Sequence, residues 1–240
     1  MMYTPDAFSG RPAALAELLA AHPFATLITP QTDGEPWISH LILLADPEQP
    51  DCLLGHLARA NPHTQALLRG SSSVALFHGE HGYVSPAWYA AGGAQVPTWN
   101  YRAAHAHGVA EEMEGAALLS QLERQVRFFE GESGWRLPSE NPAIQAMQRA
   151  VVGFRLRVKR WDIKEKLSQN RNAADRNGVI AALERMGGEN DALARAMRDA
   201  RRATRGATSR FLSETAASLA SFYASEPSIQ PSVPLGNLWP

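Results

Sequence analysis

Cysteine is almost absent from this 240-residue chain. Cys52 stands alone, which excludes an intrachain disulfide and fits a reducing compartment. An excess of charge is lacking too: a formal net charge of −1 gives no whole-molecule field drawing the chain to DNA or to anionic lipid. No apolar run reaches bilayer-spanning length, so no membrane segment is expected. The opening MMYTPDAFSG has no basic segment leading an apolar one, so a secretory signal is not expected and a soluble, cytoplasmic protein is. Nucleotide fingerprints are missing as well: there is no Walker loop and no G-x-G-x-x-G after a strand. Internal repeats and low-complexity blocks are absent.

Aromatic residues are scarce overall, at 8%, yet residues 83–108 gather Tyr83, Trp88, Tyr89, Trp99 and Tyr101 among Ser85, Pro86, Gly92, Gly93, Pro97 and Asn100. Core strands use aliphatic residues and keep polar groups out. A site for a flat, polar-edged ligand wants aromatic walls, fixed turns and a few hydrogen-bonding side chains. A loop whose rings seal the end of a barrel accounts for the same composition equally well.

Hydrophobic periodicity predicts strands over residues 24–29, 37–44, 52–57, 73–78, 82–85, 103–111 and 152–159. The last is the clearest, with Val152, Phe154, Leu156 and Val158 alternating with Arg155, Arg157 and Lys159. Asp33-Gly34 signals a hairpin turn. Helices are predicted over 12–21, 61–68, 116–129, 142–150, 173–186 and 191–205. Residues 227–240 carry four prolines and read as an extended tail. Strands in hairpin-like succession, with helices between blocks and at the ends, predict a mainly β fold: an antiparallel β-barrel with peripheral helices.

Arg59 precedes Asn61, the expected N-cap of a helix. An Arg fork beside unpaired helix amides makes a phosphate seat. A solvent-facing Arg beside an ordinary cap is the simpler alternative. The run 164–171 is dense in donors, with Lys166, Ser168, Gln169, Asn170 and Arg171 suited to the edge of a flavin or a base, or to capping the next helix. His105 and His107 share a strand face, but no cysteine cluster or neighbouring carboxylate in the sequence completes a ligand set, so no metal is expected. Arg195, Arg198, Arg201, Arg202, Arg205 and Arg210 form a basic stretch. It reads as a solvated helical face more readily than as a DNA contact, and no helix-turn-helix pattern accompanies it.

Several short strings nevertheless occur in one order: MYTPDAF at 2–8, AHPFATL at 21–27, GHLARANP at 55–62, YVSPAWY at 83–89, VPTWNY at 96–101, HAHG at 105–108, AVVG at 150–153, KLSQNR at 166–171 and DRNGVIAAL at 175–183. In these the chain resembles the PaiB-type FMN-binding negative transcriptional regulators. The resemblance spans roughly residues 2–205 and implies a six-stranded split barrel, a homodimer, and FMN in a cleft between the subunits. It implies Arg59 and Asn61 at the FMN phosphate. Around the ring system it implies Tyr83, Ser85, Trp99, Asn100 and Tyr101, with Lys166, Gln169 and Asn170 closing the site. It divides the chain into a barrel over 1–170, helices over 171–205 and an extension over 206–240. The name implies repression of transcription through DNA. An FMN-dependent oxidoreductase of the flavin reductase or pyridoxamine-phosphate-oxidase kind is the alternative, since in such enzymes the protein orients a substrate and the flavin carries the redox chemistry. A ligand-binding barrel that has lost its flavin is a third.

Overall fold

The computed structural model describes residues 1–203 except Asp33 and residues 91–93, with backbone alone for 201–203. Asp33 of the predicted hairpin turn, the Gly92-Gly93 pair, Arg205, Arg210 and the proline-rich tail therefore lie outside the described residues.

Helix α1 (Pro12–Ala21) opens on Pro12 and buries Leu15, Leu18 and Leu19. Strand β1 (Phe24–Thr29) pairs antiparallel with β2 (Trp37–Ile42). A two-residue β3 (Leu44–Ala45) leads to β4 (Cys52–Ala58) and the short α2 (Pro62–Leu68). Three long strands follow: β5 (Ser72–Val84), β6 (Thr98–Met113) and, after helices α3 (Gly115–Glu130) and α4 (Pro142–Gln148), β7 (Val151–Lys166). Helices α5 (Ala173–Met186) and α6 (Glu189–Ala203) complete the described chain. No helix among the described residues is long and apolar enough to cross a membrane.

The strands form one antiparallel sheet in the order β2-β1-β5-β6-β7-β4-β3. It has seven strands rather than six, because the two residues of β3 add a ladder beside β4. The sheet curls until β2 comes close to β4, yet no ladder joins them. The barrel is therefore split along that line. Its interior holds Leu27, Ala75, Phe77, Ala104, Ala106, Phe154 and Leu156, with Leu15, Leu18 and Leu19 of α1 packed in among them. Small alanines at 104 and 106 leave the volume that the leucines and Phe77 fill, as dense packing requires.

Residues 73–78 and 82–85 belong to one strand, β5, with a register shift between His78 and His81. The VPTWNY string is strand from its third residue: Thr98 begins β6, and Trp99 pairs with Tyr83. Lys164, Glu165 and Lys166 extend β7 past its predicted end. This ribbon outruns the barrel. Its tip is covered by a second apolar cluster of Val84, Tyr89 and Leu167 against Val179, Leu183, Leu193 and Met197 of α5 and α6. Gly178 lets α5 approach closely, since a Cβ there would lie 2.1 Å from the Trp88 carbonyl oxygen.

Candidate functional site

An open groove of about 620 Å³ runs along the split. The β2 edge supplies Ile38 to Ile42, and β4 supplies His56, Leu57 and Ala58. Asn61, Gln125 of α3 and Val151 of β7 close one end. The volume lies within the roughly 300–1,000 Å³ of small-molecule sites.

Arg59 stands beside this groove. Its Nε donates to the Arg149 carbonyl oxygen at 3.0 Å and its Nη2 to the Val151 carbonyl oxygen at 3.3 Å. A guanidinium has five N–H donors, so some remain for an anion. The helix start beside it offers less than the sequence suggested. Pro62 has no N–H, His63 N–H donates to Asn61 Oδ1, and Thr64 N–H returns to the Asn61 carbonyl. With α2 only seven residues long, the anion-binding capacity at this end rests on the Arg59 side chain.

Beneath the groove lies a polar chain that composition did not reveal. Asn61 Nδ2 donates to Ser39 Oγ at 3.3 Å, and Ser39 Oγ meets His63 Nδ1 at 2.8 Å. His63 Nε2 meets Thr29 Oγ1 at 2.8 Å, which meets Ser73 Oγ at 2.8 Å. Burial lowers the His63 pKa and favours the neutral ring, in which one nitrogen donates and the other accepts along this chain. This hydroxyl–imidazole chain couples the groove wall to β1 and β5. His56, on the opposite wall, is also held neutral by burial, and its Nδ1 is buried without a partner. A buried polar atom without a partner is costly, and a donor that reached it from the groove would satisfy it.

The other predicted residues gather elsewhere, at the ribbon tip. Tyr83 and Trp99 are each about half exposed, at 48% and 47%. Tyr83 meets Trp88 edge-on at 6.3 Å, and Trp99 stacks on His81 at 5.8 Å. Ser85 caps the 3-10 turn of Pro86–Trp88 by accepting from Ala87 N–H. Lys166 Nζ donates to the Trp99 carbonyl oxygen at 2.9 Å and to Thr98 Oγ1. The Tyr101 ring lies 5.5 Å from Lys164 Nζ. Asn170 is exposed. Two predicted contacts are spent internally. Asn100 is fully buried, with Nδ2 donating to Ser168 Oγ and reaching Met197 Sδ. Gln169 holds its own turn, accepting from Leu167 N–H and donating to the Glu165 carbonyl. Arg171, by contrast, stacks 4.5 Å above the Tyr89 ring and donates to Gln95 Oε1.

The two groups of residues do not meet within one chain. Arg59 and Asn61 flank the Val151 end of β7, whereas Tyr101 pairs with Lys166 at its other end. Sixteen residues of strand span as much as ~50 Å.

Comparisons with known proteins converge on one class. The chain is 29% identical over 194 residues to the protease synthase and sporulation protein PAI 2 of Bacillus subtilis, covering 76% of this chain and 89% of that one. Among solved structures, the FAD and heme binding protein from Mycobacterium smegmatis superposes with a TM-score of 0.54 at 20% identity, over 74% of this chain and 80% of that one. The flavocytochrome Anf3 from Azotobacter vinelandii gives 0.50 at 17% identity, over 65% of this chain and 67% of that one. These two structural likenesses concern the fold, a split barrel. Residues 2–160 match the family model described as "Putative FMN-binding domain", and with that match covering most of its length the chain belongs to that flavin-binding family.

Proposed function

We propose that the chain binds FMN as a homodimer, with each site composed from both subunits. The carrying observation is the groove at the split, with the Arg59 guanidinium beside it and the unpartnered His56 Nδ1 in its wall. In this reading Arg59 receives the phosphate, Asn61 and Ser39 offer hydrogen bonds along the groove, and the partner's ribbon tip brings Tyr83, Trp99, Tyr101 and Lys166 over the ring system. Ser85, Gln169, Asn170 and the buried Asn100 shape that tip. The separation of the two residue groups supports a shared site, because one chain holds them at opposite ends of β7. The barrel over 1–170 and the helices over 171–205 then act together, and 206–240 is an extension.

A PaiB-like repressor is the reading that the resemblance of the sequence strings favours. Arg195 and Arg198 are exposed on α6, although Arg198 is paired with Glu184. A flavin-dependent oxidoreductase gains support from an apolar crevice of about 240 Å³ between α3 and α4. It is lined by Leu119, Leu122 and Ile144 and shares Gln125 and Val151 with the groove, so a small apolar substrate would lie next to the bound flavin.

Titration of purified protein with FMN tests the binding. Arg59→Ala is expected to weaken it by about 1.5–3 kcal/mol, the range for a charged hydrogen bond, with Arg59→Lys intermediate. Unchanged affinity in Arg59→Ala removes the phosphate assignment. Anaerobic addition of NAD(P)H to the complex then separates the roles: bleaching with turnover supports the oxidoreductase, and retention of the oxidised spectrum supports the regulator.

A further inference from the structure

The outer face of the β5–β6–β7 ribbon carries a cluster that the flavin site does not use. Ala104 and Ala106 point into the barrel core, so His105 and His107 point outward. Across the ladder, Asp162 of β7 is the direct partner of His105. Asp162 Oδ2 lies 3.0 Å from His107 Nε2. One nitrogen from each imidazole and one carboxylate oxygen all lie within 4.8 Å of one another. The register also sets His78 near them: Leu76 faces His105 and His78 faces Ala103, so His78 is the diagonal neighbour of His105 on the same face. His78 is exposed and extends the cluster toward β5.

We propose that His105, His107 and Asp162 form a binding site for a first-row divalent transition metal, with His78 or water at the fourth position. Two imidazoles and one carboxylate suit zinc, cobalt, nickel or copper, and have too few oxygens for calcium or magnesium. The strands fix the donors before the ion arrives. His105 and His107 come from alternate positions of one strand, and Asp162 is held by the backbone ladder beside them. Asp162 is already oriented by the Met2 amide, which donates to Oδ2 at 3.0 Å, the kind of supporting hydrogen bond that metal-binding carboxylates use. Arg160 Nε lies 3.4 Å from Asp162 Oδ1 and is the competing cation. The Arg160 side chain is 44% exposed, so it can swing into solvent as the ion takes its place. Ligation through Nε2 of His107 transfers that ring's proton to Nδ1. The bound ion would tie β6 to β7 beneath the segment that carries Met2.

The test is a titration of tag-free, chelator-treated full-length protein with zinc and, separately, cobalt. One saturable equivalent per chain is expected, with cobalt giving visible d–d absorption. His107→Gln and Asp162→Asn should each weaken binding at least tenfold and abolish the zinc-induced rise in Tm, while Arg160→Gln tightens binding. FMN affinity, followed in parallel, should not change. Absence of stoichiometric uptake overturns the proposal, as does uptake that survives both His107→Gln and Asp162→Asn. Circular dichroism of each variant establishes that it is folded before its titration is read.

Discussion

Arg102 shows what a single side chain can hold together. It is 5% exposed, donates to the Ala14 carbonyl oxygen at 2.8 Å, and pairs with Glu80 and Glu17 at 3.2 Å each and with Glu165 at 3.6 Å. Helix α1 is thereby pinned to three strands at once. Arg102→Met removes the arginine paired with the Glu80 carboxylate and leaves the buried Glu165 to Arg11 alone, and a loss of about 3–5 kcal/mol in urea unfolding at pH 7 is expected. The same cluster sets a pH dependence. Burial alone would raise the Glu80 pKa, but the His22 ring, with Nε2 3.5 Å from Oε1, and Arg102 together hold it down at about 2 from an ordinary 4.5. A carboxyl held low in the folded state contributes its full stability above its ordinary pKa and loses it as pH falls toward the folded value. Stability should therefore decline between about pH 4.5 and 2, by on the order of 3 kcal/mol from this group, and less steeply in Arg102→Met. Unfolding curves collected at several acidic pH values check the slope.

Among the elements, β6 and β7 illustrate what sequence patterning carries and what it misses. The alternation of Val152, Phe154, Leu156 and Val158 is legible because all four are buried, the last three in the barrel core, while the intervening cations are more exposed. The first turn of β6 is not, because Thr98, Trp99, Asn100 and Tyr101 have no such alternation. There, pairing with Tyr83 and Gly82 overrides the loop-like composition around Pro97. Cross-strand neighbours are invisible in principle: Asp162 stands 55 residues from His107 and meets it only through the ladder. Asn100 fails for a related reason, since a polar residue in an aromatic string looks like a ligand until Ser168 and Met197 are found to close over it. The bulge between His107 and Gly108 offers an element-scale test. A Cβ on Gly108 would lie 2.3 Å from the Arg157 carbonyl oxygen, a backbone atom that cannot turn aside. Gly108→Ala should cost about 1–3 kcal/mol as the ribbon shifts to relieve the overlap, measured as a lower urea midpoint at unchanged m-value.

For the molecule as a whole, the distribution of the proposed site residues makes its assembly testable. Arg59 lies at one end of β7 and Trp99 near the other. If each flavin site draws on two subunits, Arg59→Ala and Trp99→Ala homodimers are both impaired, yet mixing them after subunit exchange yields heterodimers with one native site and one doubly altered site. Recovery of a high-affinity FMN fraction on mixing is expected, read by fluorescence titration. No recovery, with exchange established by mass-tagged subunits, would place the whole site within one chain. The fold class and the strings that carry the resemblance were readable in the chain itself, because both depend on local pattern. The groove was not, because β2 and β4 face each other without a ladder, and only the curled sheet sets His56 and Asn61 opposite Ile38 to Ile42.

That missing ladder has a mechanical meaning. Along every other strand boundary, a change in spacing breaks backbone hydrogen bonds, but between Trp37–Ile42 of β2 and the facing part of β4 there are none to break, the nearest being the short β3–β4 ladder at Leu44–Ala45. The width of this seam is therefore compliant where the remainder of the wall is stiff, and whatever lodges in it acts as a spacer that sets the curvature of the sheet.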